Sequence, residues 1–170
     1  TTNPYTYQPS AGTYYYQAVL TFPGGYSLTV NAPQTVTLFD TPALTVNPTA
    51  GDIGDPITLT ATNTGYSGIQ WKVSTDGVTY SDLSASNPHT YYPAAGTYYY
   101  KAVFNYPGGY NQTVTYPQTV TVYGTPAITV TPTIGGESTP VTLTATNTGY
   151  TGVQWQVSTD DVTYTNLGTS

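Results

Sequence analysis

Val141-Thr-Leu-Thr-Ala-Thr146 alternates apolar side chains with threonine. A period of two sends alternate side chains to opposite faces of an extended strand, so one face is buried and the other is wetted. Ile57-Thr-Leu-Thr-Ala-Thr62 repeats the pattern 84 residues earlier. Gln118-Thr-Val-Thr-Val-Tyr123 and Ala127-Ile-Thr-Val-Thr131 follow the same rule. β-Branched and aromatic residues, which suit a pleated and half-buried surface, dominate throughout. Asn63-Thr-Gly65, Asp76-Gly77, Pro23-Gly-Gly25 and Pro107-Gly-Gly109 mark turns between such runs. No stretch has the periodicity of an amphipathic helix. Short strands at regular spacing predict an all-β chain, folded as a sandwich or a barrel.

The strand pattern belongs to a long internal repeat. Asn3-Pro-Tyr-Thr-Tyr-Gln-Pro-Ser-Ala-Gly-Thr-Tyr-Tyr-Tyr16 returns as Asn87-Pro-His-Thr-Tyr-Tyr-Pro-Ala-Ala-Gly-Thr-Tyr-Tyr-Tyr100. Gly65-Tyr-Ser-Gly-Ile-Gln-Trp-Lys-Val-Ser-Thr-Asp76 returns as Gly149-Tyr-Thr-Gly-Val-Gln-Trp-Gln-Val-Ser-Thr-Asp160. The offset is 84 without a gap, and 54 of the 84 aligned positions are identical. After Thr1 and Thr2, two such copies account for all 170 residues. A unit of that length suits a small domain better than a solenoid turn.

Composition narrows the function. Threonine occurs 37 times and tyrosine 19 times, while cysteine, methionine and arginine are absent. Lys72 and Lys101 face eight acidic residues, for a net charge of -6. So few cations argue against nucleic acid, whose binding releases counterions in exchange for Lys and Arg. They argue equally against an anionic membrane surface. Without cysteine there is no disulfide framework. No apolar run approaches the roughly 20 residues of a membrane span. Thr1 carries neither an initiator methionine nor a signal peptide, so a processed product or a piece of something longer is expected.

The order of the runs resembles an immunoglobulin-like sandwich. Ala43-Leu-Thr-Val-Asn-Pro48 stands as its first strand and Pro56-Ile-Thr-Leu-Thr-Ala-Thr-Asn63 as its second. Ile69-Gln-Trp-Lys-Val-Ser-Thr-Asp-Gly77 carries the single tryptophan of the unit, as the third strand of that fold does. Ala95-Gly-Thr-Tyr-Tyr-Tyr-Lys-Ala-Val-Phe104 resembles the sixth strand with its tyrosine corner. The whole unit resembles the cysteine-free Ig-like repeats of large prokaryotic surface proteins, which often carry a Trp-x-Val-Ser-x-Asp-Gly stretch followed by an aromatic, here Trp71 to Tyr80. The resemblance covers essentially the whole chain. It implies that Tyr98 is the corner residue, that Tyr100 takes the place of the second cysteine and that Ala61 takes the place of the first. Trp71 would pack beside them. Tyr14, Tyr16, Ala145 and Trp155 hold the same positions in the other copies.

Phase decides the domain organisation. One complete unit is expected over residues 41–124. Residues 1–40 hold the last strands of such a unit, with the corner at Tyr14. Residues 125–170 hold the first strands, with Trp155. Neither half can bury its own core, so each must be completed. The halves could close on each other within one chain, or the end of one chain could complete the start of the next. The chain could also be one period of a longer polypeptide. Both of the last two give a linear array, which is the favoured reading. Phe39-Asp-Thr-Pro42 and Tyr123-Gly-Thr-Pro126 join the units without a Gly/Ser linker, so the joints should be stiff.

Site signals are weak. His89 is the lone histidine, with Tyr5 as its equivalent, and is expected on a surface or loop. Asp52-Ile-Gly-Asp55 has the uncharged counterpart Gly136 in place of Asp52, and calcium needs about six to eight oxygens. Lys72 and Lys101 could suggest an isopeptide bond. Their counterparts are Gln156 and Gln17, and solvent-facing lysines are the better expectation. Alternation turns Tyr98 and Tyr100 inward and leaves Tyr99 as an exposed ring, beside Tyr106, Tyr110 and Tyr116. Asn111-Gln-Thr113 is an N-glycosylation sequon. No catalytic set, cofactor site or metal site is expected.

The leading expectation is therefore a structural one: a subunit or repeat period of an extracellular or cell-surface filament or stalk, joined head to tail with copies of itself. An adhesin or carbohydrate-binding tandem that uses exposed tyrosines on a surface glycan is the alternative. A third reading is an accessory region of a secreted enzyme.

Overall fold

A computed structural model describes residues 3–63, 65–146 and 149–169, with the backbone alone at 169. The chain is all-β. Its first part holds β1 (Gly12–Tyr14), β2 (Gln17–Thr21), β3 (Ser27–Asn31) and β4 (Val36–Leu38). The middle holds β5 (Ala43–Asn47), β6 (Ala50–Asp52), β7 (Ile57–Thr62), β8 (Gly68–Ser74), β9 (Ser81–Ser84), β10 (His89–Tyr91), β11 (Gly96–Asn105), β12 (Asn111–Thr115) and β13 (Val120–Tyr123). The last part holds β14 (Ala127–Thr131), β15 (Thr142–Thr146), β16 (Gln154–Val157) and β17 (Thr165–Thr169). The Pro107–Gly109 segment between β11 and β12 is a tight turn with Gly108 and Gly109 at positive φ.

Two sheets form the middle unit. One is β10-β7-β5, antiparallel throughout. The other is β6-β13-β11-β8-β9, with β12 also paired to β11. In that sheet β6 runs parallel to β13, and the remaining pairs are antiparallel. The sheets share one core, as a β-sandwich does. The period-two pattern explains it. β7 buries Ile57, Leu59 and Ala61 and leaves its threonines on the other face. β11 buries Tyr100, Ala102 and Phe104; β8 buries Ile69 and Trp71; β13 buries Val120 and Val122. Each fully buried Leu, Ile, Val or Phe side chain is worth about 1.5–3 kcal/mol against exposure.

Polar groups close the edges of this core. The Asn87 side chain both accepts from the Ala61 amide at 2.9 Å and donates to the Ala61 carbonyl at 2.8 Å, extending the β7–β10 pairing by one step. The Tyr98 hydroxyl donates to the Ala94 carbonyl at 2.8 Å, tying the start of β11 to the loop before it.

The flanking parts keep some pairings of the middle unit and lack others. β14–β15 reproduces β5–β7, with Ala127 opposite Thr146 as Ala43 is opposite Thr62. β16–β17 reproduces β8–β9, including the irregularity after the tryptophan. β2–β3 and β1–β4 reproduce the pairings of β11 with β12 and β13 in the same register. The middle unit has three further pairings, β6–β13, β7–β10 and β8–β11. Each joins a strand before Asn87 to a strand after it. None of the three has a counterpart among the described residues. The consequences are local. Residues 5–7, equivalent to β10, and residues 134–136, equivalent to β6, are not strands. The single strand β11 is replaced by the separate β1 and β2.

Candidate assembly surface

Twelve buried hydrophobic residues make the core of the middle unit, six before Asn87 and six after it. The equivalents of the first six are Val130, Val141, Leu143, Ala145, Val153 and Trp155. The equivalents of the second six are Tyr16, Ala18, Leu20, Phe22, Val36 and Leu38. All twelve remain apolar or aromatic, and the changes are small, such as Ile57 to Val141 and Phe104 to Leu20. Their burial differs sharply. Ile57 and Phe104 are 0% exposed, whereas Val141 is 59% and Leu20 is 47% exposed. The first and last parts of the chain therefore each present an apolar face and open strand edges. Such faces mark interaction surfaces.

The expected core residues divide accordingly. Ala61, Trp71 and Tyr100 are buried together in the middle unit. Tyr98 is half-buried against that core. Tyr14, Tyr16, Ala145 and Trp155 are only half-buried. Hydrogen bonds that need one part alone persist. Tyr14 donates to the Ser10 carbonyl at 2.7 Å, as Tyr98 does to Ala94. The hydroxyls of Tyr7 and Tyr16 meet at 2.8 Å, as those of Tyr91 and Tyr100 do at 2.7 Å. Burial, then the bond to Tyr91, pushes the Tyr100 phenol well above its ordinary range. The bond to Tyr16 is the main cause that pushes Tyr7 up to about 12.

An aromatic joint links the first part to the middle unit, and sequence reasoning missed it. The Phe39 ring stacks on Tyr106 with centroids 4.2 Å apart and lies 6.1 Å from Tyr110. It sits over Gly65, where an added Cβ would lie 3.6 Å from the ring. Asn63 ties the joint by donating to the Asp40 carbonyl and to the Tyr106 hydroxyl. A cleft of about 720 Å³ runs beside it between Thr35, Phe39 and Tyr110. The available signal was an aromatic residue, Phe39 or Tyr123, at the same position before each Thr-Pro.

The other sequence candidates do not converge on a site. His89 is neither a loop nor a freely exposed residue. It lies on β10, half-buried, and stacks on Tyr91 at 5.5 Å, because β10 is held against β7. Tyr99 is not an exposed ring either. It is half-buried, with Gly77 of the Asp76-Gly77 turn packed close to it. Tyr15, its equivalent, is 80% exposed. Tyr106 is buried, leaving Tyr110 exposed and Tyr116 half-buried nearby. The lysines are engaged rather than free in solvent. Lys72 pairs with Asp82 across β8–β9, and Lys101 lies 3.9 Å over the Tyr80 ring. Asp55 accepts from the Asp52 amide at 2.9 Å and so closes its own turn. Among the described residues no group of three or more acidic, histidine or cysteine side chains is arranged to hold a metal ion. Asn111 opens β12 and is exposed. Among the described residues no helix is long and apolar enough to cross a membrane.

A family model described as a domain of unknown function (DUF8696) matches residues 43–124. Its limits run from the first residue of β5 to the residue after β13. No curated protein matches the chain.

Proposed function

We propose that the chain is a structural subunit or repeat period of an extracellular filament or stalk. In this reading serial Ig-like domains are joined head to tail, and residues 125–170 of one copy are completed by residues 1–40 of the next. The observation that carries it is the division of pairings: in the flanking parts every ladder that lies within one half of the unit is kept in register, and among the described residues none of the three ladders that cross Asn87 in the middle unit has a counterpart there. The two open faces carry the two complementary halves of one twelve-residue core. A contact between unlike ends of two copies repeats indefinitely unless the rotation closes a ring, so it makes a fibre. The Ig-like assignment is supported by the sheets β10-β7-β5 and β6-β13-β11-β8-β9, by Trp71 at the centre and by the corner bond of Tyr98.

A structural role on the cell surface also agrees with the composition. There is no cysteine or methionine to oxidise, both lysines are engaged, and the low charge leaves little repulsion between copies. The glycan-binding alternative has less support, since Tyr106 is buried and Tyr99 is half-buried. Electron microscopy of the purified chain tests the proposal. Long fibres with an axial repeat of two domain lengths are expected. Compact monodisperse particles overturn it.

A further inference from the structure

We infer that Tyr123 of one copy seats on the Phe22–Tyr26 aromatic pair of a second copy, forming the joint between them. The inference rests on the head-to-tail reading and names a contact that reading does not require. The joint within the chain supplies the template. Phe39 stacks on Tyr106 at 4.2 Å and lies nearly parallel to the Tyr110 ring, at an interplanar angle of 10°. Tyr123 is the equivalent of Phe39, and Phe22 and Tyr26 are the equivalents of Tyr106 and Tyr110.

Both sides of the second joint are already shaped. Phe22 and Tyr26 have centroids 5.8 Å apart at 35°, against 5.7 Å and 39° for Tyr106 and Tyr110. The same backbone bond holds each pair: Phe22 donates to the Tyr26 carbonyl at 2.7 Å, and Tyr106 donates to the Tyr110 carbonyl at 2.8 Å. Yet Phe22 is 45% exposed where Tyr106 is 3% exposed. At the other end Tyr123 already lies against Gly149 in the way Phe39 lies against Gly65. A Cβ built on Gly149 would fall 2.6 Å from the Tyr123 ring, so only glycine fits there. A preshaped pair loses little freedom on docking, which favours binding.

The substitutions between the joints are matched to this. Within the chain the stacked pair is Phe39 on Tyr106; between copies it would be Tyr123 on Phe22. Each pair keeps one hydroxyl, on opposite partners. Gln112, which accepts from Tyr106 and donates to Thr41, becomes Leu28 beside Phe22. A glutamine oxygen that accepts from a tyrosine hydroxyl loses that donor once the hydroxyl is gone, and leucine removes the unpaired oxygen.

Cross-linking tests the contact, since the natural chain has no cysteine. Tyr26→Cys and Tyr123→Cys are prepared separately, mixed and treated with a short bismaleimide. A Phe39→Cys/Tyr110→Cys double variant, whose rings are 6.1 Å apart, calibrates the reagent within one chain. A covalent dimer is expected from the mixture and from neither variant alone. Multimers by light scattering without that dimer, under conditions that link the calibration variant, overturn the joint and leave the head-to-tail reading standing. Absence of multimers from the unsubstituted chain overturns both. Fibre stiffness in micrographs is the second readout. Tyr123→Ala should shorten the persistence length several-fold and Tyr123→Phe should leave it unchanged. An unaltered Tyr123→Ala fibre overturns the joint.

Discussion

Trp71 and Trp155 occupy the same point of the repeat, yet Trp71 is fully buried and Trp155 is half-buried. Trp71 is covered because β11 lies beside β8, with Ala102 opposite it in the ladder. Trp155 has β17 on one side and, among the described residues, no equivalent of β11 on the other. Acrylamide quenching of Trp71→Phe and Trp155→Phe variants reads the two rings separately. Trp155 should be readily quenched in dilute chain and protected in fibres, while Trp71 should be protected in both. Equal protection of both rings in the dilute chain would mean that the halves are already closed.

Stability and assembly should separate by position. Leu59→Ala removes a fully buried side chain and should cost the middle unit about 2–5 kcal/mol. Leu143→Ala, at the equivalent position, should leave the unfolding midpoint of that unit unchanged and weaken assembly. Urea unfolding and sedimentation of both variants give the comparison.

Asn87 makes side-chain bonds to both main-chain polar groups of Ala61 and to the Tyr66 hydroxyl. Asn87→Ala leaves those backbone groups unpaired and should cost about 1–3 kcal/mol. Asn3 is its equivalent. Asn3→Ala should be silent in the dilute chain and should lower fibre stability, measured by the temperature at which fibres dissolve.

Alkali should destabilise the middle unit. Burial raises Tyr91 and Tyr100 above the ordinary phenol range in the folded chain. An unfolded tyrosine titrates at about 10. Below that pH both states keep the proton, and the contribution is fully present. Above it the unfolded chain loses protons that the folded chain retains, so stability falls as pH rises. The urea midpoint should be lower at about pH 11 than at about pH 8, and Tyr100→Phe should narrow the difference. An unchanged midpoint across that interval would mean that neither phenol is held protonated by folding.

The strands were the most legible part. Alternation of Ile57, Leu59 and Ala61 with threonine places β7, and the same rule places β13, β14 and β15. The complementary core residues could be read as a repeat offset, but their exposure could not. Exposure depends on which neighbour strand is present, and that neighbour lies dozens of residues away. Tyr99 shows the same limit: its alternation points outward, but a turn from another hairpin covers it. Phe39 recurs as Tyr123 before the second Thr-Pro, but that recurrence alone does not distinguish a strand-end aromatic from one that stacks on the next unit.

The parallel pairing of β6 with β13 has a mechanical consequence. Tension along the chain enters the middle unit ahead of β6 and leaves it after β13. Because these strands run the same way, the pull slides one lengthwise past the other. Hydrogen bonds in such a patch strain together, whereas an antiparallel hairpin pulled at its open end unzips one rung at a time. Stretching single molecules should therefore show a sharp rupture for this unit rather than a low plateau, and Gly51→Pro, which disrupts the short parallel patch, should lower that force.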